Sequence, residues 1–141
     1  MKHSLLLAGL ITSFLLSSCT IESLAPKINT AQGVLLIKDI QFSERLPPDC
    51  EDSNPSCHKV EEGYQILIIW LELADDQGSL DINTMKFLNQ EIYITSSDGS
   101  RTEASAAGFT PQGSYIAFTP ASFAEGFEMS WPGNSPIALE K

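Results

Sequence analysis

Residues 64–73 of the chain read YQILIIWLEL, and apolar side chains fill both alternating sets of positions in this run. Successive side chains of an extended strand point to opposite faces of the sheet. One face would carry Leu67, Ile69, Leu71 and Leu73, and the other Ile66, Ile68 and Trp70. Because both faces are apolar, the run predicts a central strand that is covered on both sides.

Other strand patterns lie on both sides of this run, separated by Gly, Pro, Asn and Asp. The predicted strands are residues 34–42, 64–73, 91–95, 101–106, 115–119, 127–131 and 137–139. In the first of them Leu36, Ile40 and Phe42 fall on one face. Turns are predicted at residues 97–99 (SDG) and 110–113 (TPQG), because glycine accepts a positive φ and proline fixes φ. About seven short strands in a chain of this size predict an all-β fold, an antiparallel β-sandwich.

Two segments depart from the strand pattern. In residues 79–90 the side chains of Leu80, Thr84, Met85 and Leu88 keep a rough helical spacing, and Ser79 is placed to cap the first turn. Residues 20–32 are polar and aperiodic, with a proline in the middle, and predict a flexible tether without secondary structure. The predicted β-sandwich domain therefore covers residues 33–141.

The first 18 residues have the organisation of an export signal. Lys2 gives a basic start, and the apolar run 5–16 is too short to span a bilayer, which needs about 20 helical residues. Residues 16–19 (LSSC) match a lipobox, in which an apolar residue and small residues precede a cysteine that receives lipid. We predict cleavage before Cys19 and lipidation of its thiol. The alternative is ordinary signal cleavage nearby, with Cys19 left unused.

The cysteine count agrees with this interpretation. The chain has three cysteines, and an exported protein with an odd number has one left over. Lipidation of Cys19 would leave Cys50 and Cys57, which are close in sequence and suited to a disulfide in an oxidising compartment. We predict that these two form a bridge.

Several segments together resemble a known family. They are the end of the central strand at residues 71–73 (LEL), the turn at 97–99 (SDG), and the segments 118–120 (FTP) and 127–131 (FEMSW). This pattern resembles the immunoglobulin-like domains of the immunoprotective extracellular protein superfamily of secreted bacterial proteins, and lipoproteins that share the domain. The resemblance covers residues 33–139 and implies an immunoglobulin-like β-sandwich with no catalytic residues. The loop that contains Cys50 and Cys57 departs from the family pattern.

Charge and histidine content exclude several classes of function. The chain has 8 Lys and Arg against 18 Asp and Glu, a net charge of -10. Nucleic acid is excluded as a partner because phosphate binding needs a basic face. Once the leader is removed, His58 is the only histidine, and no Gly-x-Ser-x-Gly motif accompanies it. We interpret His58 as a solvated loop residue and predict no catalytic residue, no metal and no cofactor.

Two alternatives use the carboxylates. A facing pair could serve a small envelope hydrolase, although 18 acidic residues single out no pair. The acidic groups Asp49, Glu51 and Asp52, with Glu61 and Glu62 nearby, could approach calcium in an adhesion module. Otherwise these charges keep the loop solvated.

The last expectation concerns the second apolar face of residues 64–73. Ile66, Ile68 and Trp70 need a cover, which is either the segment 79–90, a loop, or a docked envelope protein. We therefore predict a non-catalytic binding or structural module. It would be held by lipid on the cell membrane or outer membrane, facing the periplasm or the exterior.

Overall fold

The computed structural model describes residues 26–75 and 78–140, which form an all-β, sandwich-like fold. The predicted signal peptide, Cys19 and residues 20–25 of the tether lie outside the described residues. The strands are β1 Lys27–Asn29, β2 Val34–Ser43, β3 Arg45–Leu46, β4 His58–Lys59, β5 Ile66–Leu73, β6 Tyr93–Thr95, β7 Arg101–Thr110, β8 Gly113–Phe118, β9 Glu128–Ser130 and β10 Ile137–Ala138. The helix described, α1, covers Ile82–Glu91.

Eight of these strands form one antiparallel sheet in the order β1-β2-β5-β8-β7-β6-β9-β10. Strand β5 lies between β2 and β8, so the YQILIIWLEL run is the central strand that its two apolar faces predict. On the inner face Ile69 of β5 pairs with Ile40 of β2 and with Ile116 of β8. The described core is therefore centred on this strand.

Strand β7 makes the sheet curl into two layers. Its first residues, Arg101 to Glu103, pair with β6, whereas from Ala104 onward it pairs with β8. A register shift between Ala104 and Ala106 marks a bulge at the change of partner, and bulges bend the strand that carries them. The two layers enclose one apolar core, and the Phe42 and Phe127 rings meet across it with centroids 6.2 Å apart.

The segment before β2 differs from the prediction. Residues 20–32 were expected to lack secondary structure, but β1 lies within them and pairs with β2. Ile28 of β1 is completely buried, because its register partner Leu35 faces the same core. The folded domain therefore includes residues before the predicted boundary at 33.

The face predicted for β2 is also wrong at its start. Leu35, and not Leu36, is buried in the core, while Ile40 and Phe42 pack against it as expected. The reason is a register shift between Ile37 and Asp39. An extra residue in a strand moves the following side chains to the other face.

The predicted helix exists but begins later than residue 79. Asp81, and not Ser79, caps it: the Asp81 carboxylate accepts a hydrogen bond of 2.7 Å from the Thr84 amide. This bond to the backbone lowers the pKa of Asp81. Thr84 and Leu88 are buried, and Leu80 packs against the core, so the apolar spacing gave the correct face. The helix lies against the inner core rather than over Ile66 and Ile68.

Candidate functional site

The outer face of the central strand is covered from within the chain. Ile66 and Ile68 form a second buried cluster with Tyr115 and Ala117 of β8. Leu46 and Val60, from the segment that contains β3 and β4, pack against this cluster. Ile66 and Ile68, two of the three residues considered as a docking surface, are therefore unavailable to a partner. Trp70, the third, is partly exposed.

The cover is a hairpin made by β3 and β4, and a disulfide closes its loop. The structure confirms the predicted bridge between Cys50 and Cys57, with Cα atoms 5.6 Å apart. Arg45 of β3 reaches into the loop, where it donates a 3.0 Å hydrogen bond to the Cys50 carbonyl and pairs with Asp52 at 3.0 Å. The bridge and the arginine together hold the hairpin in a fixed shape over the outer cluster.

The acidic side chains of the loop between β3 and β4 are not brought together as a metal site. In residues 26–75 and 78–140 no group of three or more His, Cys, Asp or Glu side chains is placed to hold a metal ion. Asp52 faces Arg45 instead. The calcium-dependent module consequently gains no support from this geometry.

A groove runs along one side of the hairpin. We call it the hairpin groove; it has a volume of about 560 Å³ and an apolar floor that includes Val60, Ile66 and Ala106. His58 lies along this groove and is exposed as predicted, but it belongs to β4 and not to a loop. Two hydroxyls that line the groove are engaged: Thr119 Oγ1 donates to Ser105 Oγ at 3.2 Å, and Ser105 Oγ donates to the Ala117 carbonyl at 3.1 Å. This arrangement provides no activated nucleophile.

A second concave site lies at the opposite end of β5, where β8 begins. Pairing between these strands ends at Leu71 and Ser114, while β5 continues to Leu73 and remains paired with β2. The step leaves a cleft of about 450 Å³ beside the β7–β8 turn. We call it the tip cleft. Its lining combines aromatic, charged and uncharged polar side chains, among them Trp70, Phe109, Lys38, Glu72 and Gln112.

The Trp70 ring is held from several sides. Its indole N–H donates a 3.2 Å hydrogen bond to Gln41 Oε1. The Tyr115 ring meets it edge to face, at 5.7 Å between centroids and an angle of 66°. Tyr115 in turn requires a glycine beside it, because a Cβ at Gly108 would lie 2.9 Å from the tyrosine hydroxyl oxygen. Trp70 is therefore a preorganised aromatic wall rather than a freely rotating side chain.

Phe109 also lines the tip cleft, but it is in register with Ser114 and Leu71, so its side chain leaves the sheet on the face opposite to Trp70. It directly precedes the predicted TPQG turn and is 70% exposed, an unfavourable position for a large apolar ring in the isolated domain. Phe109 was not predicted as a site residue, because the strand predicted at 101–106 ends before it, whereas β7 continues to Thr110. An aromatic residue beside a turn was the available signal.

The polar side of the tip cleft carries a charged pair. Lys38 Nζ lies 3.1 Å from Glu72 Oε1, and both side chains remain about half exposed. Thr110 Oγ1 donates to Gln112 Oε1 at 3.1 Å, which positions the Gln112 amide on the turn. The cleft therefore offers a cation, a carboxylate and an amide near the Trp70 ring.

Two described carboxyl groups, Asp81 and Asp98, have a lowered pKa. Where a shift is resolved, at Asp81 and Asp98, hydrogen bonds lower the pKa. A general acid in a glycoside hydrolase needs a raised pKa instead. The hydrolase alternative thus gains no support from these two groups.

Comparisons with protein-family models, with curated proteins and with solved structures gave no match. The immunoglobulin-like resemblance therefore stays a prediction, and the tip cleft and hairpin groove are interpreted from their own chemistry. In the described part of the chain, no helix has both the length and the apolar character to cross a bilayer.

Proposed function

We propose that the protein is an exported lipoprotein, held on an envelope membrane by lipid on Cys19, and that its β domain is a non-catalytic binding module. The lipobox-like LSSC sequence supports the anchor. The bridge between Cys50 and Cys57 supports an oxidising compartment outside the cytoplasm. The binding site of the module is the tip cleft.

The observation that carries the assignment of the site is a concave cleft that combines the fixed Trp70 ring with the charged pair Lys38 and Glu72. Trp70 is held by Gln41 and Tyr115, and Phe109, which is 70% exposed, also lines the cleft but projects from the other face of the sheet. Ligand sites are concave, largely preformed, and combine apolar walls with a few polar groups that fix orientation. The tip cleft is concave, and the contacts of Trp70 with Gln41 and Tyr115 make that part of it preformed.

Photo-crosslinking in intact cells tests the binding site. A photoreactive p-benzoylphenylalanine would replace Phe109 in one version of the full chain and Phe123 in another. Phe123 is the matched control because it is also a highly exposed phenylalanine, at 79%, and does not line the tip cleft. We expect a discrete adduct at position 109 and none at 123. No adduct at 109, or the same adduct at both positions, would contradict the proposed site.

The anchor is tested separately by processing. The wild-type chain should yield a mature protein that starts at an acylated Cys19 and partitions with membranes. Cys19→Ala should remain an unprocessed precursor or leave the membrane fraction. An unacylated mature amino terminus at any other residue, measured by mass spectrometry, would overturn the lipoprotein assignment.

A further inference from the structure

We propose that the tip cleft binds an extended peptide with alternating apolar and basic side chains, which joins the sheet as a strand beside Leu73. This inference rests on the proposed function of the cleft as a binding site and adds the chemical class of the ligand. The peptide lies in line with β8, in the place that β8 leaves open before Gly113.

The backbone of Leu73 faces this open place. In an antiparallel pair, residues whose backbone groups point toward the partner strand alternate with residues whose groups point away from it. The Ala74 amide donates to the Val34 carbonyl at 2.8 Å, so Ala74 points toward β2. The N–H and C=O of the preceding residue, Leu73, therefore point away from β2, to the side where pairing with β8 has ended at Leu71. No strand in the described part of the chain pairs with Leu73 on that side.

An extended peptide residue supplies the matching groups. Its N–H and C=O lie on the same edge of the strand, so a single residue can exchange both hydrogen bonds with Leu73 in an antiparallel pair. Leu73 is among the residues that line the tip cleft, which gives a ligand access to it. Addition of a strand to an open sheet edge is a recurrent mode of peptide binding, in which the backbone provides affinity and alternate side chains provide specificity.

The two rings of the tip cleft lie on opposite faces of the sheet, and this arrangement suits a strand. Trp70 and Glu72 belong to the outer face, whereas Leu73 and Phe109 belong to the inner face. Successive side chains of a strand also point to opposite faces. The peptide residue opposite Leu73 therefore points to the face of Phe109, and its neighbours point to the face of Trp70. A compact ligand on one face would contact only one of the rings.

Phe109 favours an apolar side chain at the position opposite Leu73. Phe109 is in register with Ser114, and that position lies two residues before Ser114 along the line of β8, which makes it a diagonal neighbour of Phe109. Diagonal neighbours are within reach of an aromatic side chain. Because the ring is 70% exposed, an apolar peptide side chain would remove part of it from water.

The outer face favours a basic side chain. Asp39 lies directly opposite Trp70, and Glu72 follows two residues later on the same face. Asp75, just beyond the end of β5, is also exposed, whereas the cation that lines the cleft is Lys38, paired with Glu72 at 3.1 Å. A lysine or arginine of the peptide adds positive charge where carboxylates are in excess, and can place it over the face of the Trp70 ring.

Calorimetric titration of the purified full chain in detergent tests the ligand class. The probe is the peptide acetyl-VKVKVK-amide, and its acidic counterpart is acetyl-VEVEVE-amide. We expect saturable heat with the lysine peptide and none with the glutamate peptide, because the carboxylates on the outer face repel the latter.

Backbone methylation of the lysine peptide tests the strand pairing. The valine N–H groups lie on one edge of the extended peptide and the lysine N–H groups on the other. A valine opposite Leu73 pairs through the valine edge, so N-methylation of the valines should abolish the saturable heat. N-methylation of the lysines leaves that edge intact, and this matched peptide should bind like the unmodified one.

Variants of the protein test the two faces. Glu72→Gln and Phe109→Ala should each weaken binding of the lysine peptide about fivefold, the effect of one cross-strand contact. The matched controls are Phe123→Ala, which removes another exposed ring, and Glu103→Gln, which breaks the exposed ion pair with Arg101 at 2.7 Å. Neither control should change binding, and all four variants should melt close to the wild-type temperature because the replaced side chains are exposed.

Four outcomes would overturn the proposal: no saturable heat with the lysine peptide, equal binding of the glutamate peptide, equal binding of the two methylated peptides, or equal losses in the cleft and control variants. If the crosslink at position 109 forms but the lysine peptide does not bind, only the ligand class is wrong. If the crosslink also fails, the proposed binding site is wrong as well.

Discussion

Ile68 is completely buried although its side chain points away from the main core. Its cover consists of Leu46 and Val60 from the β3–β4 hairpin together with Ala117. Removing a buried aliphatic side chain costs about 2 to 5 kcal/mol, because transfer energy is lost and a cavity remains. We therefore expect Ile68→Ala to lower the unfolding free energy by that amount in urea denaturation.

The control for this prediction is Phe123→Ala, whose side chain is 79% exposed. A surface truncation of this kind should change the unfolding free energy by no more than about 0.5 kcal/mol. If Ile68→Ala were as mild as the control, the hairpin would not seal the outer face. The buried state of Ile68 also makes a charged substitution there a test of folding and not of partner binding.

Asp98 makes part of the stability dependent on pH. Side-chain hydrogen bonds from Ser100 and Ser96, at 2.6 Å each, lower the pKa of Asp98 to about 2. Because the folded pKa lies below the ordinary value of 3.8, the contribution of this carboxylate is present above about pH 4 and is lost as the pH falls toward 2. Asp98→Asn should remove this part of the acid dependence.

Melting temperatures measured from pH 5 down to about pH 2 check this prediction. The wild-type curve should fall more steeply than the Asp98→Asn curve across that range. Glu125→Gln, an exposed acid in the neighbouring loop, is the matched control and should keep the wild-type slope. Parallel wild-type and Asp98→Asn curves would show that the turn does not stabilise the carboxylate.

At the scale of elements, the disulfide fixes the hairpin that covers the outer cluster. A disulfide that closes a loop as short as that between Cys50 and Cys57 raises the unfolding free energy by about 2 to 3 kcal/mol in the chain-entropy model. The double variant Cys50→Ser/Cys57→Ser should lose that amount of unfolding free energy. Its Val60 amide, which donates to the Glu44 carbonyl at 2.9 Å, should exchange with deuterium faster.

Reduced wild-type protein serves as the comparison for the double variant, because it lacks the bridge but keeps both cysteines. The two proteins should have matching stability and exchange. Unchanged exchange at Val60 in both would mean that Arg45 and the apolar contacts suffice to hold the hairpin.

The elements that sequence analysis predicted are those with a periodic pattern of their own. The central strand was predicted because both of its faces are apolar, and α1 because Thr84 and Leu88 lie one turn apart. Strands β1, β3 and β4 have two or three residues each and do not belong to a longer alternating pattern, whereas the equally short β6 and β9 lie within the alternating runs 91–95 and 127–131. They form because pairing with β2, or with each other, satisfies their backbone groups.

The candidate site was less predictable than the fold, for a related reason. Trp70 was singled out from the apolar face of β5, but its exposure depends on where β8 begins, which is a matter of tertiary register. Phe109 was missed because the predicted strand ends at Ala106, whereas pairing with β8 continues to Thr110. Long-range pairing, and not local pattern, therefore places the cleft.

Strand β1 provides a direct test of where the folded domain begins. Ile28 is completely buried whereas its neighbour Lys27 is exposed. Ile28→Ala should lower the unfolding free energy by about 2 kcal/mol or more, and Lys27→Ala should change it by about 0.5 kcal/mol at most. If both substitutions changed the unfolding free energy by equally small amounts, β1 would be part of a tether and not of the folded domain.

At the scale of the whole molecule, the curled sheet separates its two concave sites. The hairpin groove lies beside the Ile66 end of β5, and the tip cleft lies at the Leu73 end. Strand β1 runs toward the cleft end, since Asn29 pairs with Val34 and the Ala74 amide donates to the Val34 carbonyl.

The net charge of -10 determines how such a domain can associate with a membrane. An acidic protein is repelled by anionic headgroups, so its own surface offers no electrostatic attachment. Two or more acyl chains, by contrast, give a lasting hold through burial of their methylene groups.

We expect the mature, acylated protein to co-sediment with phosphatidylglycerol vesicles at both low and high salt, whereas protein purified from Cys19→Ala should stay in the supernatant at both. Salt screens charge interactions but leaves the burial of acyl chains intact. If the Cys19→Ala form sedimented at low salt and not at high salt, the domain would have a basic attachment surface. That outcome would contradict the proposed anchor.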